Sequence, residues 1–472
     1  MLFSSLIFLL IFLPAFLLVY TCVPGCRWKN LVLLLFSLLF YAWGEPVYVL
    51  LMMGSILVNF LIGRLMGSAG APGQRENRRK VWLIVGITAN LVLLCIMKYM
   101  DLLIRGVNLI FGSELALLHI ALPIGISFYT FQTMSYLVDV YRGTVQCEKN
   151  LIDFGAYVSM FPQLIAGPIV RYETVQKELV ERRVDASGVS EGIVRFCIGL
   201  SKKILIANQV GAVYEQISAL TGVQPMALSW LGALSYTLQI YFDFAGYSDM
   251  AIGLGLMMGF HFPENFEHPY RARSITEFWR RWHISLSTWF REYVYIPLGG
   301  NRVSVGRHIR NLLIVWGLTG LWHGAEPNFL LWGLYYGVLL ILEKYVYGGA
   351  LRRCPALVQH IYTLLLVIFG WVLFSNTTMT ALIETLKGLV GIGGVGSTYA
   401  WYLLRTHWVL YLAAILLSVG VVPALWNRIS KNTTIREQAA PVSRIVFVAL
   451  ALVACVAVLL RGSYNPFLYF RF

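Results

Sequence analysis

The chain has 472 residues, 58% of them hydrophobic and 13% charged, with a mean hydropathy of +0.69. That leaves too little polar surface to cover a water-soluble globule, so lipid must be the solvent for much of it. The formal net charge of +14 reads as loop arginines and lysines beside anionic headgroups. It does not read as nucleic-acid affinity, because no polar stretch is long enough to fold as a separate basic domain.

A membrane span needs about 20 mostly apolar residues, since the hydrocarbon core is about 30 Å thick and a helix rises about 1.5 Å per residue. In chain order the stretches that meet this are 2–23, 30–43 with 46–63, 81–99, 192–218, 226–260, 309–322 with 327–346, 357–374, 401–425 and 442–460. They predict an all-α, polytopic transmembrane bundle of roughly 10–12 segments, re-entrant pieces included. The first run has no basic residue ahead of it and no small-residue cleavage signature at Thr21-Cys22-Val23, so it reads as a retained helix. The loop Arg64 to Lys80 sets Arg64, Arg75, Arg78, Arg79 and Lys80 against Glu76 alone, which places it in the cytoplasm. Three spans precede it, so the N-terminus is expected to face outward.

The seven cysteines, Cys22, Cys26, Cys95, Cys147, Cys197, Cys354 and Cys455, are scattered and lack paired C-x-x-C spacing, so neither a metal site nor a disulfide framework is expected. Cys22 and Cys26 could meet across one helical turn, but at a reducing face. No inverted repeat of the transporter kind stands out. The longest polar linkers, 64–80, 171–191, 263–281 and 426–441, are short, so 1–472 reads as one domain with its polar motifs concentrated at about 120–330.

Two places put chemistry into this apolar chain. In the run Ser274 to Tyr293, Ser274 and Glu277 form a capping box that announces a helix starting at about Ile275. Continued through the run, that helix would set Trp279, His283 and Phe290 near one face, with Trp282, Leu286 and Trp289 adjoining, as an aromatic belt at a membrane interface. Glu277 and Arg281 are spaced to pair. The second place is Gly317 to Asn328, where His323 ends an apolar stretch and is followed by Gly324 and Pro327, which remove bulk and limit the next helix. A desolvated, neutral imidazole there can act as general base toward a hydroxyl attacking a thioester. On residue chemistry alone, each histidine reads as a hydrogen-bonded packing group ahead of a catalyst.

Asp243 and Asp249 lie inside the apolar run 226–260, where an unpaired carboxylate is costly. Gln239, one turn earlier, and Arg271, Arg273, Arg280 and Arg281 are the partners available nearby in sequence. Gln132, Tyr129, Gln163 and Asn265 read either as pore-lining groups or as helix-packing polar groups. His119, His261, His268, His308, His360 and His407 are assigned no chemistry. Neither Gly125-Ile126-Ser127 nor Gly246-Tyr247-Ser248 continues into a G-x-S-x-G elbow, which disfavours a serine nucleophile. No phosphate loop or metal motif is present.

The series Gln239 to Gly259, with Gln-Ile-Tyr-Phe-Asp-Phe-Ala-Gly-Tyr-Ser-Asp-Met at its start, then Pro263-Glu264-Asn265-Phe266, Glu277 to His283 and Trp322-His323-Gly324, resembles the signature series of membrane-bound O-acyltransferases in order and spacing. Within that superfamily the chain is most similar to the alginate O-acetyltransferase subgroup, through Tyr41-Ala42-Trp43-Gly44, Pro123 to Gln132, Phe161 to Ile169 and Tyr464 to Phe470. The resemblance implies helices around a central tunnel, with His323 as the essential catalytic histidine and His283 as the supporting one. Trp279, Trp322, Asp243, Gln132 and Asn265 would line the substrate tunnel, which the interrupted segments 121–132 and 161–170 suit. It further implies acetyl-CoA or a related thioester as donor substrate with no bound cofactor and no metal. A polysaccharide acceptor and a periplasmic partner of the serine-hydrolase-like (SGNH) type are expected, with the chain in the bacterial inner membrane and its N-terminus periplasmic. Two other classes compete. One is a transferase passing D-alanine from a carrier-protein thioester to teichoic acid, and the other is a transporter of donor or precursor that uses the histidines as proton relays.

Overall fold

The computed structural model describes residues 1–67, 74–429, 440–462 and Leu468. Among these, regular structure is helical, and the only strand-like pairing is an isolated antiparallel bridge between Phe266 and Trp282. Eight helices are long and apolar enough to cross a membrane: Gly25–Gly44, Tyr48–Gly67, Glu76–Phe111, Ala186–Ser218, Pro327–Arg353, Ala356–Ser375, Thr398–Ser418 and Pro441–Leu460. A shorter apolar helix, Phe8–Cys22, and two more long ones, Met226–Met258 and Val305–His323, accompany them. Most of the basic loop 64–80 is helical, but its residues 68–73, most of the linker 426–441 and, apart from Leu468, the closing motif 464–470 lie outside the described residues.

Exposure follows lipid rather than water. Only 11% of the apolar window of Pro441–Leu460 is buried, against 67% of that in Ala186–Ser218, so the first is a lipid-facing helix and the second a core helix. Leu50, Leu365 and Val453 stand exposed on helix faces that would be untenable in water.

The chain resolves into two compact units, residues Met1–Phe196 with Met250–Pro263, and Cys197–Asp249 with Glu264–Phe472. In the first unit, Phe161 is ringed by Phe3, Phe8, Phe12, Phe16 and Phe40 at centroid distances of 5.1 to 6.2 Å. The backbone there leaves the helix Leu151–Ser159 at Met160, makes one short turn at Phe161–Leu164 and runs on irregularly to Val170, buried throughout. Interrupted backbone is therefore covered by protein, as an apolar solvent demands. Gly125 starts the helix Ile126–Arg142 at φ 76°, and a Cβ there would collide with the Leu164 carbonyl, so this turn needs glycine. Asn59, Asn90 and Thr133 join three helices through side-chain hydrogen bonds of 2.7 to 3.3 Å. The helix carrying Cys22 ends there, and Cys26, beyond Val23-Pro24 on the next helix, bonds the Arg182 backbone instead. All seven cysteines are free.

In the second unit, Val305–His323 and Pro327–Leu342 pack backbone against backbone. A Cβ on Gly320 would strike the Phe329 carbonyl, and one on Gly333 the Trp316 carbonyl. Small residues at the crossing are what lets two helices approach this closely without a hydrophobic drive between them. The aspartates of Met226–Met258 are paired, but not by the arginines that follow in sequence. Lys203 Nζ lies 2.5 Å from Asp243 Oδ1 and Lys202 Nζ 2.6 Å from Asp249 Oδ2. The lysines reach them from a neighbouring helix, and the Leu468 N–H donates to Asp243 Oδ2 at 2.9 Å.

Candidate active site

The expected helix does start at Ile275, with Ser274 Oγ accepting from the Glu277 N–H at 3.0 Å. The reciprocal arm falls one residue early, Glu277 Oε2 accepting from the Arg273 N–H. Glu343, 68 residues away, caps the same helix with both carboxylate oxygens on the Ile275 and Thr276 amides. Glu277 pairs with Arg281 at 3.0 Å as the spacing implied.

The helix does not continue through His283. It ends at Arg281, Trp282 is extended and pairs with Phe266, and His283 sits at φ 45°, ψ 54° before a second helix, Ile284–Phe290. Asn265 explains the break. Its backbone carbonyl accepts from the Ile284 N–H, and its Oδ1 accepts from both the N–H and the hydroxyl of Ser285. These bonds hold the chain in a turn that a continuous helix would forbid. The aromatic run is accordingly not an interfacial belt. Trp279, Trp282, Trp289 and Phe290 are all buried, and Trp279 packs on Trp316, Trp332 and Tyr336.

The break fixes the state of His283. Because a backbone N–H donates to Asn265 Oδ1, that atom is an acceptor, so His283 Nδ1, 3.1 Å away, must be the protonated nitrogen and Nε2 carries the lone pair. The Asn265 amide is itself held by the Ser248 hydroxyl at 3.1 Å. His283 is 1% exposed, with the ring of Phe244 edge-on at 4.6 Å. Complete burial pushes its pKa down to about 3, so the imidazole is neutral at any physiological pH.

His323 is the last residue of Val305–His323 and 6% exposed. Rings of Trp322, Trp332 and Phe374 stand around it at 4.9, 5.0 and 5.2 Å, each nearly perpendicular to the imidazole. Gly324 is required by this packing, since a Cβ there would enter the Phe329 ring. Trp322 also lies 5.9 Å from the His283 ring, so one indole touches both histidines.

Of the residues picked out in sequence, His283, His323, Trp279, Trp322 and Asn265 thus belong to one connected aromatic and polar cluster. Asp243 does not join it through a bond of its own, being engaged with Lys203 and Leu468, although the adjacent Phe244 packs on His283. Gln132 belongs to the other compact unit, fully buried on Ile126–Arg142. The sequence reading missed Trp332, Phe374, Ser285, Glu343 and the two lysines. Only the lysines carried a signal, as adjacent cations inside an apolar helix. No cluster of three or more His, Cys, Asp or Glu suited to a metal ion occurs among the described residues.

Two buried histidines thus stand at helix boundaries, walled by tryptophans, in a helical protein with eight candidate membrane spans among its described residues. The profile of the membrane-bound O-acyltransferase family (MBOAT) matches residues 148–382, which include both histidines. A probable alginate O-acetylase of Pseudomonas aeruginosa is 47% identical over 79% of this chain and 72% of its own length. Another, of Pseudomonas putida, is 40% identical over the whole of both chains. A peptidoglycan O-acetyltransferase of Helicobacter pylori is 35% identical over 84% and 81%. The teichoic acid D-alanyltransferase of Bacillus subtilis is more distant, 29% identical over 54% of this chain. The chain belongs to the membrane-bound O-acyltransferase family, and is an enzyme of that kind.

Proposed function

We propose that the protein transfers an acetyl group from a cytoplasmic thioester, acetyl-CoA or a relative, toward hydroxyls of a cell-envelope polysaccharide such as alginate. It would do so from the bacterial inner membrane, with its N-terminus periplasmic and a periplasmic SGNH-type acetyltransferase as partner. The observation that carries the reading is the Trp322-linked pair of buried histidines, on a chain 40% identical end to end with a probable alginate O-acetylase. The carrier-thioester reading with teichoic acid as acceptor has the weaker support, 29% identity over about half the chain.

In this mechanism His323 takes the proton of the acceptor hydroxyl as its oxygen attacks the thioester carbonyl. The carbon–sulfur bond breaks, and the departing thiolate recovers the proton. His323 suits the task because the carbonyl end of its 19-residue helix favours a transient imidazolium. His283 is a positioning group: with Nδ1 committed to Asn265, it offers Nε2 as a fixed acceptor.

The test is transfer from radiolabelled acetyl-CoA by purified protein, with oligosaccharide acceptors and with a periplasmic acetyltransferase added or omitted. Label should reach the acceptor or partner with native protein and fall by about 10² to 10⁴ in His323→Ala. Undiminished transfer by folded His323→Ala would remove that residue from the chemistry. Labelled donor crossing vesicles chemically unchanged would support transport instead.

A further inference from the structure

His308 stands at the opposite end of Val305–His323 from His323, about 22 Å away at 1.5 Å per residue. There the second unit holds an open cavity of about 660 Å³, walled by Ile275–Arg281, the start of Val305–His323 and the far end of Pro327–Arg353. Arg273, Arg280, Lys344 and Arg352 line it. None of these four is within ion-pair distance of a carboxylate among the described residues.

Glu277 and Glu343 line it too, so four cations face two carboxylates and the lining keeps an excess of positive charge. Glu277 is engaged by Arg281, and Glu343 turns both oxygens onto the Ile275 and Thr276 amides. The floor is rigid, since buried His308 is held at Nε2 by Tyr295 and at Nδ1 by Tyr345, both at 2.7 Å. The walls also include Leu312, Leu340 and Leu351, so the cavity offers both cationic and apolar side chains. Its volume exceeds what a bare ion needs and falls in the range of organic-ligand pockets.

We propose that this cavity binds the phosphate-bearing end of an amphiphilic ligand presented from the cytoplasm. Guanidinium forks match phosphate oxygens in pairs, and the leucines would take the adjoining apolar part. The cytoplasmic side follows from charge. No Lys or Arg occurs from Asn311 to Glu343, whereas Arg302, Arg307, Arg310, Lys344, Arg352 and Arg353 crowd the cavity end. An anionic lipid headgroup and the diphosphate of a soluble thioester present the same chemistry. Neither arm depends on acyl transfer occurring, so this inference and the proposed function can fail separately.

The experiment measures binding of inorganic pyrophosphate to the full chain in neutral detergent by calorimetry, and retention of phosphatidylglycerol against phosphatidylcholine by native mass spectrometry. The variants are Arg273→Gln/Arg280→Gln/Arg352→Gln, which changes exposed side chains only, and Leu312→Trp, which fills the cavity without altering charge. Pyrophosphate affinity should fall at least about tenfold in both variants and weaken with salt. Phosphatidylglycerol that competes with pyrophosphate and is lost from the variants would identify the headgroup as occupant. Pyrophosphate binding untouched by that lipid would identify the soluble source. Equal pyrophosphate affinity and equal lipid retention in native and variant proteins would overturn the proposal.

Discussion

The buried state of His283 makes a measurable prediction about acid stability. In the folded chain its pKa is down to about 3, whereas an unfolded histidine titrates near 6.5. The folded pKa is the lower one, so as pH falls below 6.5 the unfolded chain binds a proton that the folded chain refuses, and stability is lost. One pKa unit is about 1.4 kcal/mol; between pH 7.5 and pH 5.0 the loss from this one group comes to about 2 kcal/mol, while the folded form stays neutral until about pH 3. Removing the titrating ring in His283→Gln should flatten the fall in apparent melting temperature over that interval relative to native protein. Asn265→Asp should flatten it in another way: a carboxylate facing Nδ1 favours the imidazolium and raises the folded pKa. The assay is thermal unfolding in detergent at half-unit pH steps for the three proteins, so the other titrating groups are common to all curves. Identical slopes for native and His283→Gln protein would refute the claim that a neutral, desolvated imidazole sits at this position.

Three further outcomes follow from the packing. Lys203→Met leaves Asp243 buried without its cation and should cost about 3–5 kcal/mol, with Lys203→Met/Asp243→Leu recovering most of it; chemical unfolding in detergent compares the two, and no recovery would deny the pairing. Gly324→Ala puts a Cβ into the Phe329 ring beside His323, so acetyl transfer per folded molecule should drop by at least about tenfold while stability falls only about 1–3 kcal/mol. Ser274→Ala should cost no more than about 1 kcal/mol in the same unfolding assay, because Glu343 still holds the first amides of that helix.

The parts of the molecule that were legible in sequence are those governed by local rules. Span lengths, the Ser274 cap and the Glu277–Arg281 pair each depend on residues within a turn or a window, and each is found where expected. What was misread depended on residues remote in sequence. Periodicity carried the helix through His283, because nothing between Ile275 and Phe290 forbids it. The break comes from Asn265, 18 positions upstream, whose amide offers the backbone an alternative to the helical ladder. The partners of Asp243 and Asp249 were sought among the following arginines for the same reason. The cations that arrive instead sit on a helix some 40 residues earlier, and sequence distance says nothing about which helices become neighbours.

In the proposed reaction the two histidines divide their work by environment rather than by identity. For His283, taking a proton means charging a ring that is wholly buried and already donating from Nδ1. Its low pKa records that cost, and a group so reluctant to charge near neutral pH is a poor general base. It is well suited to hold a geometry, since Asn265, Ser285 and Ser248 fix its ring plane and its tautomer together. His323 closes a helix at the end where backbone carbonyls gather, and the Trp322 ring lies against both imidazoles. If that division is right, His283→Gln, which can still accept a hydrogen bond, should retain far more acetyl transfer than His283→Ala, whereas no His323 variant lacking a basic nitrogen should. Equal losses in His283→Gln and His283→Ala would mean that the imidazole itself, and not an acceptor at that place, is what the reaction requires.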